Sequence, residues 1–351
     1  MQLPTRPAAS AQVSAAPSPT QSARDLVLDV QELPAIYETD FSTLFNAGDA
    51  LVWATGNQIW RYGLDGTPEL VYTGAEGTAV EKIAASSAGY LFVTVPRAGG
   101  VEPYRWRLYF LSLGGSDPFL MDKFDNAALL APDIAINGTY AAWAVAHGEG
   151  ADEVSMLRAV KLHDLAAPQT LQSYALNDTW IGDPSLWRDE LWYGVSDNDW
   201  TNDQAHPRVE MINLGDPGSQ PLVYGRDVRA FMPAANDQVV SWKGGESDDF
   251  AALDAAAPFV YWRATGVTQQ LPLPGDIQFP TVGNRFIAWW DMRAEEFYVY
   301  DIAQHQLREI ASYSEPAPRY LGPSVSGNVL SWVYFATDRT PGRIQWAYLP
   351  E

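Results

Sequence analysis

Three acidic stretches of this 351-residue sequence hold the residue types that could do chemistry. Residues 196–203 read SDNDWTND. Clustered Asp and Asn oxygens are what hard cations take, which makes Asp197, Asp199 and Asp203 candidate calcium ligands. The stretch lacks the glycine and terminal glutamate of an EF-hand loop, and a solvated loop of Asx-turns has the same composition. Trp200 interrupts the polar run with no strand period around it. An aromatic placed there either stacks on a sugar or grips a peptide, or it pins its own loop. The second stretch offers His147, Glu149, Asp152 and Glu153, and His206 follows the first. Two histidines beside carboxylates are donors for a transition metal, although no ligand spacing links them. The third stretch carries Glu246, Asp248, Asp249 and Asp254, while Arg97 and Glu102 stand in a further irregular segment, residues 96–103.

Other chemistries find no support in the sequence. With no cysteine there is no disulfide, thiol nucleophile or Cys-ligated zinc. No Gly-x-Ser-x-Gly elbow and no glycine-rich phosphate loop is present. Paired carboxylates for glycoside hydrolysis are available, but an acidic chain supplies such pairs by chance. No catalytic residue is therefore assigned. The candidate ligand-binding residues are Arg97, Glu102, His147, Glu149, Trp200, His206, Asp248 and Asp249. No cofactor is called for, calcium at the aspartates apart.

The elements that must position these residues are short strands. Residues 280–310, PTVGNRFIAWWDMRAEEFYVYDIAQHQLREI, contain four apolar or alternating runs joined by polar turns, which is the pattern of one antiparallel propeller blade. A proline followed nine residues later by an aromatic recurs at Pro184–Tyr193, Pro233–Trp242, Pro280–Trp289 and Pro323–Trp332. Pro132 reaches Trp143 with a longer first strand, Leu44 to Trp53 fits without a proline, and residues 80–93 fit weakly. The spacing of roughly 40–50 residues is that of four-stranded blades. The expected fold is all-β: a seven-bladed β-propeller over residues 25–351. Its last blade lacks a strand, which residues 25–31 (DLVLDVQ) are expected to supply. The repeated tryptophans are read as packing between blades. Turns between first and second strands are short, whereas the loops between second and third strands of blades 2–5 are long, and the site is expected on that long-loop face.

The 14 Trp, 17 Tyr and 13 Phe suit half-buried strands. A formal net charge of −21 disfavours nucleic acid and anionic membrane surfaces as partners. No apolar run reaches the roughly 20 residues of a membrane helix. Residues 1–24, rich in Ala, Pro, Ser, Thr and Gln, have almost nothing to bury and read as a disordered tether. Such tethers follow the processing sites of exported or lipid-anchored proteins, so an extracytoplasmic monomer, touching a membrane only through its tether, is expected.

Two units carry a resemblance. Pro280, Val282, Gly283, Asn284, Trp289, Asp291, Arg293, Tyr298, Tyr300 and Asp301 in one, and Pro323, Val325, Ser326, Gly327, Asn328, Trp332, Asp338 and Arg339 in the other, make these repeats similar to those of TolB-like bacterial propellers. The resemblance covers the C-terminal third well and the first two blades poorly. It implies an extracytoplasmic propeller and little about activity, because such blades serve scaffolds and enzymes alike. Residues and resemblance together give a binding or scaffold module for a protein, peptide or cell-envelope glycan. The alternative is a carbohydrate-active lyase or hydrolase that uses a bound cation and loop carboxylates.

Overall fold

The computed structural model describes residues 26–34, 44–97, 104–128, 130–147, 153–165, 167–176, 178–197, 207–225, 229–245, 257–271, 277–291, 296–309, 319–335 and 342–350. The expected tether, residues 1–24, lies outside them. The described residues form strands and turns, with no helix among them.

Successive antiparallel strands make seven four-stranded blades. Blade 1 is β2 (Leu44–Asn46), β3 (Ala50–Thr55), β4 (Gln58–Gly63) and β5 (Glu69–Thr73). Blade 2 is β6 (Thr78–Ser86), β7 (Gly89–Pro96), β8 (Tyr104–Ser112) and β9 (Phe119–Ala128). Blade 3 is β10 (Asp133–Ile136), β11 (Tyr140–His147), β12 (Val154–Lys161) and β13 (Gln169–Ala175). Blade 4 is β14 (Thr179–Trp187), β15 (Glu190–Asp197), β16 (Arg208–Asn213) and β17 (Leu222–Tyr224). Blade 5 is β18 (Phe231–Ala235), β19 (Val239–Gly244), β20 (Ala257–Trp262) and β21 (Val267–Gln270). Blade 6 is β22 (Ile277–Val282), β23 (Phe286–Asp291), β24 (Glu296–Asp301) and β25 (Gln306–Glu309). Blade 7 is β26 (Arg319–Ser326), β27 (Val329–Phe335) and β28 (Arg343–Tyr348), completed by β1 (Gln31–Glu32). First strands of neighbouring blades touch all the way round, β26 against β2 included, so they line the axis of a closed ring.

The closing strand is shorter and later than expected. Gln31 and Glu32 pair with Trp346 and Gln345, whereas residues 27–30 join no ladder. Leu26, Leu28 and Val30 instead lay their side chains on the core between blades 6 and 7, while Val27 points outward.

One aromatic per second strand fills each gap between blades: Trp53, Phe92, Trp143, Tyr193, Trp242, Trp289 and Trp332, all without accessible surface. The residue directly opposite on the third strand is Trp60, Tyr109, Arg158, Glu210, Phe259, Tyr298 and Gln345 in the same order. Where that partner is polar, it or a neighbour serves the aromatic's polar atom. The Tyr193 hydroxyl donates to Glu210 at 2.9 Å, and Trp332 Nε1 to Gln345 at 2.9 Å.

The repeated prolines have a backbone cause. Proline has no N–H for the ladder, so it belongs at a bulge. The first strands of blades 4 to 7 each slip register across Asp183-Pro184, Met232-Pro233, Phe279-Pro280 and Gly322-Pro323. In each, the residue ahead of the proline has positive φ: 51, 49, 49 and 59°. Three of these are not glycine, a conformation that costs about 1–3 kcal/mol and persists only where the surroundings enforce it. Pro132 falls outside this pattern. It precedes β10, and alignment of the Asn137 and Asn236 turns puts Ile134 where the other blades have proline.

Candidate functional site

The long loops spring from the ends of β7, β11, β15 and β19. At the end of β15, Asp197 stands in a network of charges. Arg208, at the start of β16, reaches Asp197 Oδ2 at 2.8 Å and Glu210 Oε1 at 2.7 Å, and Thr179 donates to Asp197 Oδ1 at 3.3 Å. The arginine and Glu210 side chains are nearly buried. Burial works against the Arg208 charge, but the hydrogen bonds and charges of Glu210 and Asp197 outweigh it and hold its pKa above the ordinary value. Burial, with Glu210 adding to it, pushes the Tyr193 hydroxyl far up, so it stays a proton donor. Asp197, the last described residue of β15, is therefore held in an ionic network, and a cation bound at its carboxylate would compete with Arg208.

Of the other sequence candidates, Arg97 is exposed at the end of β7, with its N–H on the Gly77 carbonyl at 2.7 Å and its guanidinium against the Gly56 turn of blade 1. His147 ends β11, paired with Val154 and, across the blade boundary, Ala128. Glu102, Glu149, Asp199, Trp200, Asp203, His206, Asp248 and Asp249 lie outside the described residues. No group of three or more potential metal ligands gathers among the described residues.

A second cluster, absent from the sequence reading, sits on the first strands. Counted back along the sequence from the core aromatic, the place that Asp183, Met232, Phe279 and Gly322 take in blades 4 to 7 is filled by Lys82 in blade 2 and Asp133 in blade 3, which unlike them stay in the ladder, opposite Val93 and Ala144. Lys82 Nζ makes a short ion pair with Asp133 Oδ1, and the Asp183 N–H donates to Asp133 Oδ2 at 3.4 Å. Burial first, and then the Asp133 charge, push the Asp183 carboxyl up to about 7 against the pull of Lys82 and Lys243. Lys243 is itself buried, on β19. Asp183 is thus poised to exchange its proton near neutrality, beside a second carboxyl paired to a lysine, which is what proton exchange with a ligand requires. The sequence signal was positional: an Asp immediately before a blade proline.

This raised value has a stability consequence. Between the ordinary carboxyl range and about pH 7 the folded chain holds a proton at Asp183 that the unfolded chain has released. Stability from this group is therefore greatest at low pH and is lost as pH rises through that window. Asp183→Asn, which removes the charge and suits positive φ, is expected to raise the melting temperature at pH 8 relative to wild type and to leave it unchanged at pH 4. Equal effects at both values would exclude a charged Asp183 as the cause.

On the opposite face, between the third-to-fourth-strand turns of blades 3 and 4, lies a cavity of about 210 Å³. Tyr140, Lys161, His163, Asp164 and Leu214 are among the residues lining it.

No protein-family model and no curated protein matches the sequence. Solved structures do match it. An oligogalacturonate lyase from Vibrio parahaemolyticus superposes with a TM-score of 0.60 at 11% identity, over 94% of this chain and 99% of that one. A prolyl endopeptidase matches with 0.62 at 9%, over 88% of this chain and 48% of its own. The acylaminoacyl peptidase of Pyrococcus horikoshii matches with 0.61 at 9%, over 90% and 54%. The chain spans about half the length of the two peptidases. At such identities the likeness is one of fold, and the fold shared is the seven-bladed β-propeller.

Proposed function

We propose that this propeller is a binding module, exported and tethered through residues 1–24, that presents the long-loop face of blades 2–5 to a protein, peptide or cell-envelope glycan. The observation that carries the reading is how the short-turn face is used. There, turn groups are spent on joining blades. Asn46 donates to the Ser324 and Val329 carbonyls at 2.9 Å, Asn137 to Arg188 O at 2.8 Å and Asn236 to Gly283 O at 2.7 Å. Ser86 reaches Asn137 O at 3.0 Å, and Arg188 reaches Asp237 at 2.6 Å. The inner rim of that face is committed to holding the ring together. The opposite face carries the long loops on a charged base, and scaffold-held loops are where ligand contacts concentrate. The net charge of −21 favours a ligand with cationic groups, or an anionic glycan bridged by calcium. The similarity to TolB-like repeats supports export.

The test is a panel of peptides and polysaccharides measured by calorimetry. Trp200→Ala and Asp199→Ala are expected to weaken a bound member about tenfold or more, the loss typical of a contact that dominates an interface, with the melting temperature nearly unchanged. A ligand lost on Lys161→Ala or His163→Ala but indifferent to Trp200→Ala would place the site on the other face and overturn the reading.

A second reading, a carbohydrate-active enzyme, is favoured by one observation: Asp183, raised to about 7, beside Asp133, which is paired to a lysine. Turnover of a polysaccharide that is abolished in Asp183→Asn, or by chelation, would select it.

A further inference from the structure

Lys82, Asp133, Asp183, Met232 and Phe279 each stand ten residues ahead of the core aromatic of their blade, on the axial strands of blades 2 to 6, the first two within the ladder and the other three at bulges. The ring they form is charged along one arc and apolar along the next. The bulge turns Asp183, Met232 and Phe279 out of the alternation of their strands. Asp183 Oδ2 lies 3.7 Å, and Met232 N 4.0 Å, from where a Cβ on Gly194 would stand, so the carboxylate rests over a bare stretch of β15. Phe279 lies on Trp290 at 6.4 Å and 15° between planes, yet remains 42% exposed. An aromatic on an axial strand that merely filled the core would be covered as Trp289 is. Lys82 is committed to Asp133, and among the described residues no ion pair is made by the Asp183 carboxylate.

We infer that this ring binds an ammonium or guanidinium group carried on a hydrocarbon stem, with the cation on Asp183 and the stem along Met232 and Phe279. Charge selects the cation. A chain of net charge −21 concentrates cations about itself, and so at the axis that its first strands line. Shape and polarisability select the stem: the thioether of Met232 adapts to it, and the Phe279 face also attracts a cation lying over it. The titratable groups facing Asp183 are Asp133 from blade 3, Lys82 from blade 2 and Lys243 from blade 5. The lysines limit affinity, and burial, with the Asp133 charge adding to it, holds a proton on Asp183 that an arriving cation must expel. Binding near neutrality therefore releases a proton and weakens as pH falls. The inference rests on the binding-module reading but not on the loops. A free amine and a lysine or arginine side chain of a peptide share this chemistry.

The test uses the full chain, titrated calorimetrically with 2-phenylethylammonium chloride, with sodium 3-phenylpropionate as an anion of like shape, and with an acetylated lysine-containing tripeptide amide. The ammonium probe is expected to saturate and the anion not to bind. Affinity should fall about tenfold or more from pH 7.5 to 5.5, with proton release detected across buffers of different ionisation enthalpy. Asp183→Asn and Phe279→Ala should each weaken it about tenfold, while Trp200→Ala leaves it unchanged, which separates this ring from the loop site. Tighter binding of the tripeptide than of the amine identifies a peptide side chain as the occupant, and the reverse order a small amine. If either variant fails to fold, the pH dependence and the anion comparison on wild type decide. No saturation by either cation at millimolar concentration, equal binding of phenylpropionate, or an unchanged affinity in Asp183→Asn overturns the inference.

Discussion

Deleting residues 26–33 is expected to open the ring and leave a chain that aggregates or unfolds. Three kinds of interaction are lost together. The first is pairing: Gln31 and Glu32 extend β28, and the Leu33 N–H donates to Ile344 O at 3.0 Å. Without them β28 presents an unpaired edge, a template for another chain. The second is burial: Leu33 is 4% exposed in a cluster with Leu51, Trp53 and Trp346, and so cements blade 7 to blade 1. Leu33→Ala alone should cost about 2–5 kcal/mol. The third is polar: Glu32 accepts from Arg343 at 2.8 Å and from Gln345 Nε2 at 2.7 Å. Gln345 is the residue that also accepts the Trp332 indole N–H, so a lost Glu32 disturbs the core partner of blade 7. Size-exclusion chromatography and urea unfolding report the outcome. A synthetic peptide of residues 26–34 added to the truncated chain should restore a folded monomer by strand addition. A truncated chain with the wild-type unfolding midpoint would show that the ring does not depend on this strand.

The blades were legible because two residues recur at a fixed distance and each has its own physical reason. Proline marks the bulge on the first strand, and nine residues later an aromatic fills the gap to the next blade. Pro184–Tyr193, Pro233–Trp242, Pro280–Trp289 and Pro323–Trp332 all obey both. Blade 2 was faint because it has the bulge, between Val80 and Lys82, without the proline, and Phe92 in place of tryptophan. Pro132 misled because a proline ahead of a strand and a proline in a bulge look alike in sequence. The closing segment was legible in its alternation, which the burial of Leu26, Leu28 and Val30 follows, but not in its pairing, which begins at Gln31. The candidate site divided by kind. Carboxylate density draws attention to loops, and most of those loop residues lie outside the described structure. Asp183 and Asp133 are single acids on apolar strands and have no density. Only the packing of β10 against β14 brings them together, and the bulge that takes Asp183 out of its ladder is one no hydropathy pattern reveals.

Asp122→Ala is the substitution expected to cost most for a side chain on an outer strand. Asp122 stands on β9, the last strand of blade 2, yet its carboxylate serves blade 3: Oδ2 accepts Trp143 Nε1 at 2.8 Å and Arg158 Nη1 at 2.6 Å. The guanidinium lies over the Trp143 ring, 5.5 Å from its centroid. The same β9 pairs with β11 at His147 and Ala128, which fuses blades 2 and 3 into one eight-stranded sheet and fixes the carboxylate in place. Removing it leaves a largely covered guanidinium with no countercharge from Asp122, a loss of up to about 3–5 kcal/mol, against a total stability of about 5–15 kcal/mol for a typical domain. The indole is not what demands Asp122, because Trp242 and Trp289 keep buried Nε1 atoms with no acceptor among the described residues. Those two blades place Phe259 and Tyr298 where blade 3 has Arg158. The arginine makes the difference. Accordingly Asp122→Asn, which keeps an acceptor oxygen, should lose less than Asp122→Ala. The pair Asp122→Leu with Arg158→Phe, which rebuilds the Trp–Phe contact of blade 5, should recover most of the loss. Denaturant unfolding of the four chains reads this directly. A double variant no more stable than Asp122→Ala would show that the carboxylate holds the two blades by something other than neutralising Arg158.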